Sequence, residues 1–320
     1  MLPEINYYEP PIATIWQGRK DTLPNERFFQ AIKPYDIRIH SLDNIRTKIV
    51  FLGFNSDEGI RRNEGRLGAK TGPNVLREHL GKLPWHAKQP LYDLGNISCE
   101  EQKLEESQQE LTKIINCCHQ HECKTIVFGG GHEIAWGHFL GLSEKYNKLG
   151  IINFDAHFDL RPVNQQKQST SGTPFYQIKE YCQSKELPFN YCCLGIQPHA
   201  NTESLFKIAD DSHVYFLTAQ QMYEQSFKQQ LKFIDHFIKK QDYIYLSICL
   251  DVFAQAYAPG VSAPQALGLL PWQALPLLKY IIQTGKVVSV DIAELSPPLD
   301  EDQKTARLAA MLIAELLEFY

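Results

Sequence analysis

Acids and histidines stand at the ends of apolar runs in this chain, at spacings that bring them together. Directly after the run 150–154 comes Asp155-Ala156-His157-Phe158-Asp159. In extended backbone, residues i, i+2 and i+4 face one side, so two carboxylates and an imidazole converge from a single strand end. After 125–128 stands Gly129-Gly130-Gly131-His132-Glu133. Three glycines let the backbone turn sharply and approach a neighbour closely, which leaves His132 at the mouth of the next helix. Alone, that loop could equally cradle a phosphate, although the Lys and Ser/Thr of a P-loop are missing. The third group is Ser247-Ile248-Cys249-Leu250-Asp251 and the fourth Asp291-Ile292-Ala293-Glu294. A carboxylate closing a buried apolar strand is costly unless it is paired or metal-bound. Each group by itself has a bland reading as a polar turn or a helix cap. Together, His132, Asp155, His157, Asp159 and Asp251 form a carboxylate- and imidazole-rich set of the kind Mn²⁺ accepts. Two such ions sharing ligands would generate a nucleophile from water at neutral pH. Metal-assisted hydrolysis is the chemistry this pattern points to.

The elements that must position these groups are legible from periodicity. Apolar, β-branched-rich runs of strand length occur at 48–54, 125–128, 150–154, 191–196, 213–217, 243–250 and 286–292. They read as apolar on both faces, as a buried parallel sheet requires. Amphipathic stretches lie between them. Ser98 with Glu101 and Thr218 with Gln221 predict capping boxes. Gly72-Pro73 predicts a helix start, and Leu104, Leu111, Ile114, Ile115 and Cys118 keep a helical period. The alternation predicts an α/β fold, a three-layer α/β/α sandwich on a mostly parallel, doubly wound sheet. Residues 46–320 would form a single catalytic domain, with 1–45 an irregular segment wrapping its outside. Such sheets bind ligands beyond the C-terminal ends of their strands, which is where the four groups lie.

Composition narrows the class. A chain of 320 residues, 43% hydrophobic and 22% charged, is ordinary for a soluble globular enzyme and long enough to bury a core without staples. A net charge of -5 with dispersed Lys and Arg leaves no nucleic-acid footprint. The opening residues MLPEINYYEP have neither a basic region nor an apolar one, and no apolar run reaches the ~18 residues of a membrane span. A cytoplasmic location without a membrane partner is therefore expected. The eight cysteines include no C-x-x-C and read as reduced thiols, mostly core filler. The expected partner is a small-molecule substrate; a homo-oligomer is compatible with the sequence but not specified by it.

GGGHE, DAHFD, S-x-C-x-D and D-x-x-E, in this order, resemble the arginase/agmatinase ureohydrolases from about Lys48 to the C-terminus. Further features are similar to the branch that hydrolyses the linear amidine N-formimidoyl-L-glutamate in histidine degradation. They are Arg61 to Ala69, Gly72-Pro73, Tyr92 to Gly95, Ser171 to Phe175 and Ala258 to Pro264. The resemblance implies two Mn²⁺ per subunit, one held by His132, Asp155 and Asp159 and the other by His157, Asp155 and Asp251. It implies that Glu294 grips the cationic amidine and that a hydroxide between the metals attacks it. Asp159 would pass a proton to the leaving amine, releasing L-glutamate and formamide. Thr173 is implied as a substrate contact. For the substrate carboxylates the candidates are Arg161, just beyond the metal motif, and Asn201 with Thr202, beyond a strand end; Arg62 and Arg66 follow. Two departures stand out. Cys249 replaces a bridging carboxylate, a soft ligand where Mn²⁺ is hard. Phe175 stands where arginases carry a histidine, which argues against arginine as substrate. The alternatives are an agmatinase- or guanidinobutyrase-type activity, or a metal-poor, weakly active relative.

Overall fold

Because their side chains alternate between two faces, the apolar strands of this chain pair edge to edge and are covered on both sides. The computed structural model describes residues 5–87 and 89–320. The strands are β1 (Tyr8–Glu9), β2 (Ile32–Pro34), β3 (Ile49–Asn55), β4 (Leu91–Ser98) and β5 (Lys124–Phe128). They continue with β6 (Leu149–Phe154), β7 (Asn190–Ile196), β8 (Tyr215–Thr218), β9 (Tyr243–Cys249) and β10 (Val287–Ala293). All join one sheet in the order β1-β4-β3-β5-β10-β9-β6-β7-β8, with β2 also on β4. Every pairing is parallel except that of β1 with β4.

The alternation sorts the core into two layers. Ile49 and Phe51 of β3 join Ile152 and Phe154 of β6 and Ile244, Leu246 and Ile248 of β9 on one face. Helices Gly72–Gly81, Phe227–Ile238, Pro271–Gln283 and Lys304–Leu317 cover it. Val50, Leu52, Phe54 and Ile151 point to the other face, under Leu104–Gln120, Ile134–Ser143, Pro174–Ser184 and Glu203–Asp211. The result is the three-layer α/β/α sandwich expected.

Three expectations need correction. Residues 5–45 do more than wrap the core. They add β1 and β2 to the sheet edge and insert Trp16, Phe28 and Ile32 into the main apolar cluster. The Tyr92 to Gly95 stretch lies within a strand, β4, which went unread because Asp93, Gly95 and Asn96 interrupt its apolar pattern. The polar residues are consumed internally: Arg77 donates to both Asp93 oxygens at 3.0 and 2.8 Å and to Asn96 Oδ1 at 2.7 Å, and Trp16 Nε1 donates to Asp93 Oδ2 at 2.8 Å. Finally, Ser98 does not cap a helix. It ends β4 opposite Asn55, Glu101 takes a left-handed backbone (φ 47), and the helix begins only at Leu104 with no side-chain cap. Thr218 does cap its helix, in a complete box with Gln221.

Candidate active site

Four adjacent strands, β5, β10, β9 and β6, end in the four singled-out groups, so neighbours in the sheet bring together residues as distant in sequence as His132 and Glu294, 162 positions apart. The chain winds outward on either side of this point, which is where a doubly wound sheet opens its crevice. The crevice, about 290 Å³, is lined by His132, His157, Asp159, Arg161, Cys249, Asp251 and Glu294 together with Asn63, Arg66, Ser171 and Ser262.

The glycine loop after β5 exists for close packing. A Cβ on Gly130 would stand 1.8 Å from the Ser56 carbonyl oxygen, and one on Gly131 2.0 Å from Glu133 Oε2. Its N–H groups are all spent within the protein. Gly129 donates to Ile292 O, Gly130 to Phe54 O, Gly131 to Ser56 O and His132 to Glu294 Oε1. None remains for a phosphate, which removes that reading of the loop.

His132 Nδ1 lies 3.0 Å from Asp155 Oδ2 and 2.9 Å from Asp159 Oδ2. His157 Nδ1 lies 3.5 Å from Asp155 Oδ1 and 3.1 Å from Asp251 Oδ2. Two three-residue sets offer ligand atoms within 4.8 Å of one another: His132, Asp155 and Cys249, and Asp155, His157 and Asp251. Asp155 belongs to both. Asp155 is itself oriented by the His157 N–H at 2.7 Å and the Asn153 amide at 3.1 Å. Asp159 and Glu294 both hold left-handed backbone, φ 49 and 73. Such strain in non-glycine residues persists only where the surroundings over-determine it, typically at functional sites.

The donor set fits hard divalent cations. His132 Nδ1, Asp251 Oδ1 and Glu294 Oε2 are buried polar atoms without an aligned hydrogen bond, a costly arrangement unless an ion or substrate completes it. The electrostatics agree. Burial and the charge of Asp155 push the Asp159 carboxyl up to about 6, against the pull of His132. Burial and Asp155 likewise raise Asp251. Burial opposes the charge on Asp155, yet the imidazoles of His132 and His157 hold it well below the carboxylate range. Both imidazoles, for which burial alone disfavours charge, are held protonated by these carboxylates. Without metal, protons balance a cluster that cations would balance better.

Cys249 sits within this cluster, 1% exposed. Burial, then the charges of Asp155, Asp251 and Glu294, push its thiol well above the ordinary range. A protonated thiol is a poor ligand for a hard ion. Cys249→Asp should therefore raise Mn²⁺ affinity on the order of tenfold, by ligand charge and hardness. The same variant should unfold at a lower Tm when metal-free, since it adds a fifth acid beside Asp155, Asp159, Asp251 and Glu294. Titration of both proteins with Mn²⁺, with and without peroxide, checks this; unchanged affinity would make Cys249 a packing residue.

The other candidates are placed differently. Arg161 lines the crevice with no ion-pair partner among the described residues, its stem packed against Gly172. Arg66 also lines it but donates to the Val261 and Ser262 carbonyls. Arg62 is not available to a substrate: it pairs with Glu58 and Glu105 and donates to the Ser169 carbonyl, pinning that loop. Asn201 borders the crevice, but its amide accepts from Phe158 N and donates to the Ala156 and Gln197 carbonyls. Thr173 lies outside the lining and bonds Thr170 and Gln177; Thr202 is exposed and bonds Ser204. Ser171, held by Asn63 Nδ2 at 3.1 Å, takes the place in the lining expected for Thr173. Phe175 stacks on Tyr191 at 4.4 Å and meets the His132 ring edge-on at 5.5 Å, so it buttresses that histidine. Asn63, Ser171 and Ser262 were not among the expected site residues, although each lies in a stretch that carries the resemblance, 61–69, 171–175 and 258–264.

A sandwich with a carboxylate and imidazole cluster that could hold divalent cations at the switch point of its sheet is the arrangement of metal-dependent hydrolases. The chain belongs to the arginase family, whose model matches residues 47–318. It is 56% identical over 318 residues to a formimidoylglutamase of Legionella pneumophila, covering 99% of both chains. It is 42% identical to one of Clostridium tetani, covering 97% of this chain and 96% of that one. Among solved structures, Trypanosoma cruzi formiminoglutamase with Mn²⁺ superimposes with a TM-score of 0.77 at 25% identity, covering 87% of this chain and 95% of that one. No helix among the described residues is long and apolar enough to cross a membrane.

Proposed function

We infer that this protein hydrolyses N-formimidoyl-L-glutamate to L-glutamate and formamide. The observation that carries this reading is the crevice itself, about 290 Å³, with a buried acid cluster at its floor and at its rim an arginine unpaired among the described residues, in a chain 56% identical to a formimidoylglutamase. That volume suits an amino-acid-sized ligand. His132, Asp155, Asp159, His157 and Asp251, with Cys249 beside them, would hold two Mn²⁺. When bound, the metals make water a nucleophile at neutral pH and stabilise developing negative charge.

The chain's own groups do the rest. Glu294 Oε2, buried and unpartnered, faces the crevice and pairs with the amidinium N–H groups, while its Oε1 is fixed by His132 N. The oxygen of water bonds to the formimidoyl carbon and the bond from that carbon to the glutamate nitrogen breaks. Asp159, on the wall of the crevice, carries the proton to that nitrogen. Arg161 with Ser171 and Asn63 faces the carboxylate end. Agmatine has no carboxylate and leaves Arg161 unmatched, which is why the agmatinase-type alternative is not favoured.

Purified protein loaded with Mn²⁺ should release formamide and glutamate from formimidoylglutamate, and little or no urea from arginine or agmatine. Arg161→Ala should lower kcat/KM for formimidoylglutamate roughly tenfold, chiefly through KM, as expected for a solvent-accessible rim charge. Mn²⁺ uptake should not change. Equal turnover of agmatine would overturn the substrate assignment.

A further inference from the structure

The first acid of the D-x-x-E motif, Asp291, does not reach the crevice. It is fully buried one layer behind it, on the face of the sheet covered by helices Leu104–Gln120 and Ile134–Ser143. We propose that Asp291 is a positioning residue: acting through Ser247, it fixes the ring orientation and tautomer of His132, so that Nδ1 is the nitrogen offered to a metal. This rests on the metal reading above.

Ser247 Oγ donates to Asp291 Oδ1 at 2.7 Å. The other carboxylate oxygen, Oδ2, accepts from Tyr245 OH and lies 2.8 Å from His138 Nδ1. Burial disfavours charge on Asp291, but His138 and Tyr245 outweigh it and hold the carboxyl below its ordinary range. An ionised carboxylate only accepts. The single hydrogen of Ser247 is therefore committed to Asp291, and its oxygen can only accept at its other contact. That contact is His132 Nε2, 2.9 Å away. Nε2 must carry a hydrogen, which makes Nδ1, facing Asp155 and Asp159, the nitrogen that gives up its proton and offers a lone pair when a metal binds. Such carboxylate-supported imidazoles are oriented and made more basic by their outer partners.

Asp291 is in turn braced from behind. His138 Nε2 lies 2.6 Å from Ser289 Oγ, which lies 2.5 Å from Thr125 Oγ1, itself 2.9 Å from His119 Nε2, with His119 Nδ1 3.0 Å from Tyr146 OH. Burial lowers His119 to about 3, so this ring stays neutral and relays hydrogen bonds without adding charge. Thr125, Ser247, Ser289 and Asp291 occupy alternate positions of three adjacent strands, which is how one face of an apolar sheet comes to carry a polar line.

The test compares Mn²⁺ affinity, read by electron paramagnetic resonance of the free ion, in wild type, Asp291→Asn, Ser247→Ala and Tyr245→Phe. Asp291→Asn and Ser247→Ala should each weaken Mn²⁺ binding roughly 10- to 100-fold. Tyr245→Phe removes a bond to the same carboxylate off the path to His132. It should lower Tm yet leave affinity within about twofold, as for an uncoupled site. If Asp291→Asn does not fold, Ser247→Ala reads the same link with Asp291 still held by His138 and Tyr245. Wild-type affinity in folded Asp291→Asn or in Ser247→Ala would overturn the inference alone, as would equal losses in Tyr245→Phe. A wild type that takes up no Mn²⁺ would overturn the metal reading as well.

Discussion

Asp155→Ala should abolish Mn²⁺ uptake and hydrolysis together while leaving the fold intact. Asp155 is the one residue common to both ligand sets, and its two oxygens face different imidazoles, Oδ2 towards His132 and Oδ1 towards His157. Losing it therefore removes a ligand from each set at once, whereas Asp251→Ala would affect one. A fall in kcat of roughly 10⁴-fold or more is the scale expected when one member of an interdependent catalytic set is deleted. The fold's stake in this side chain is limited to bonds from the Asn153 amide and the His157 N–H at the strand end, so the circular dichroism spectrum should match wild type. Activity assays and metal analysis on the same preparation check the result. Retention of either Mn²⁺ or turnover in Asp155→Ala would sink the proposed mechanism.

The second large effect is expected at Glu294, and it separates substrate binding from metal binding. Burial, then the charge of Asp251, push this carboxyl up to about 8 in the metal-free protein, with Ser262 and the His132 N–H acting against them. Cations among Asp155, Asp159 and Asp251 would cancel the opposing charge and return Glu294 towards its ionised form, ready for an amidinium. Glu294→Gln keeps the shape and removes that charge. Truncating one partner of a buried charge pair costs ~2–5 kcal/mol, so kcat/KM should fall from roughly 30-fold to several-thousandfold. Mn²⁺ affinity should stay at the wild-type value, because Glu294 belongs to neither ligand set. Parallel loss of metal would instead place Glu294 among the ligands.

Local pattern along the chain already specified the sandwich and the residues at its floor. Strand runs that are apolar on both faces admit only a covered sheet, and acids at the ends of such runs are too costly to be incidental. That is why His132, Asp155, His157, Asp159, Cys249, Asp251 and Glu294 could all be named from local pattern, and all line or adjoin one crevice. Strand β4 escaped because its polar residues are satisfied by Arg77 and Trp16, partners 16 and 77 residues away. The rim was legible only in part for the same reason. Nothing local distinguishes Arg161, which is unpaired, from Arg62, whose charge is consumed by Glu58 and Glu105. Nor does spacing reveal that the amide of Asn201 is spent on backbone while Ser171 faces the crevice. Asp291 shows the division most clearly. Its place two residues after Ser289 in β10 could be read along the chain, but its link to His132 runs through Ser247 on the neighbouring strand. Period and residue type fix which face a side chain takes; hydrogen-bond partners across strands are decided only when the sheet is assembled.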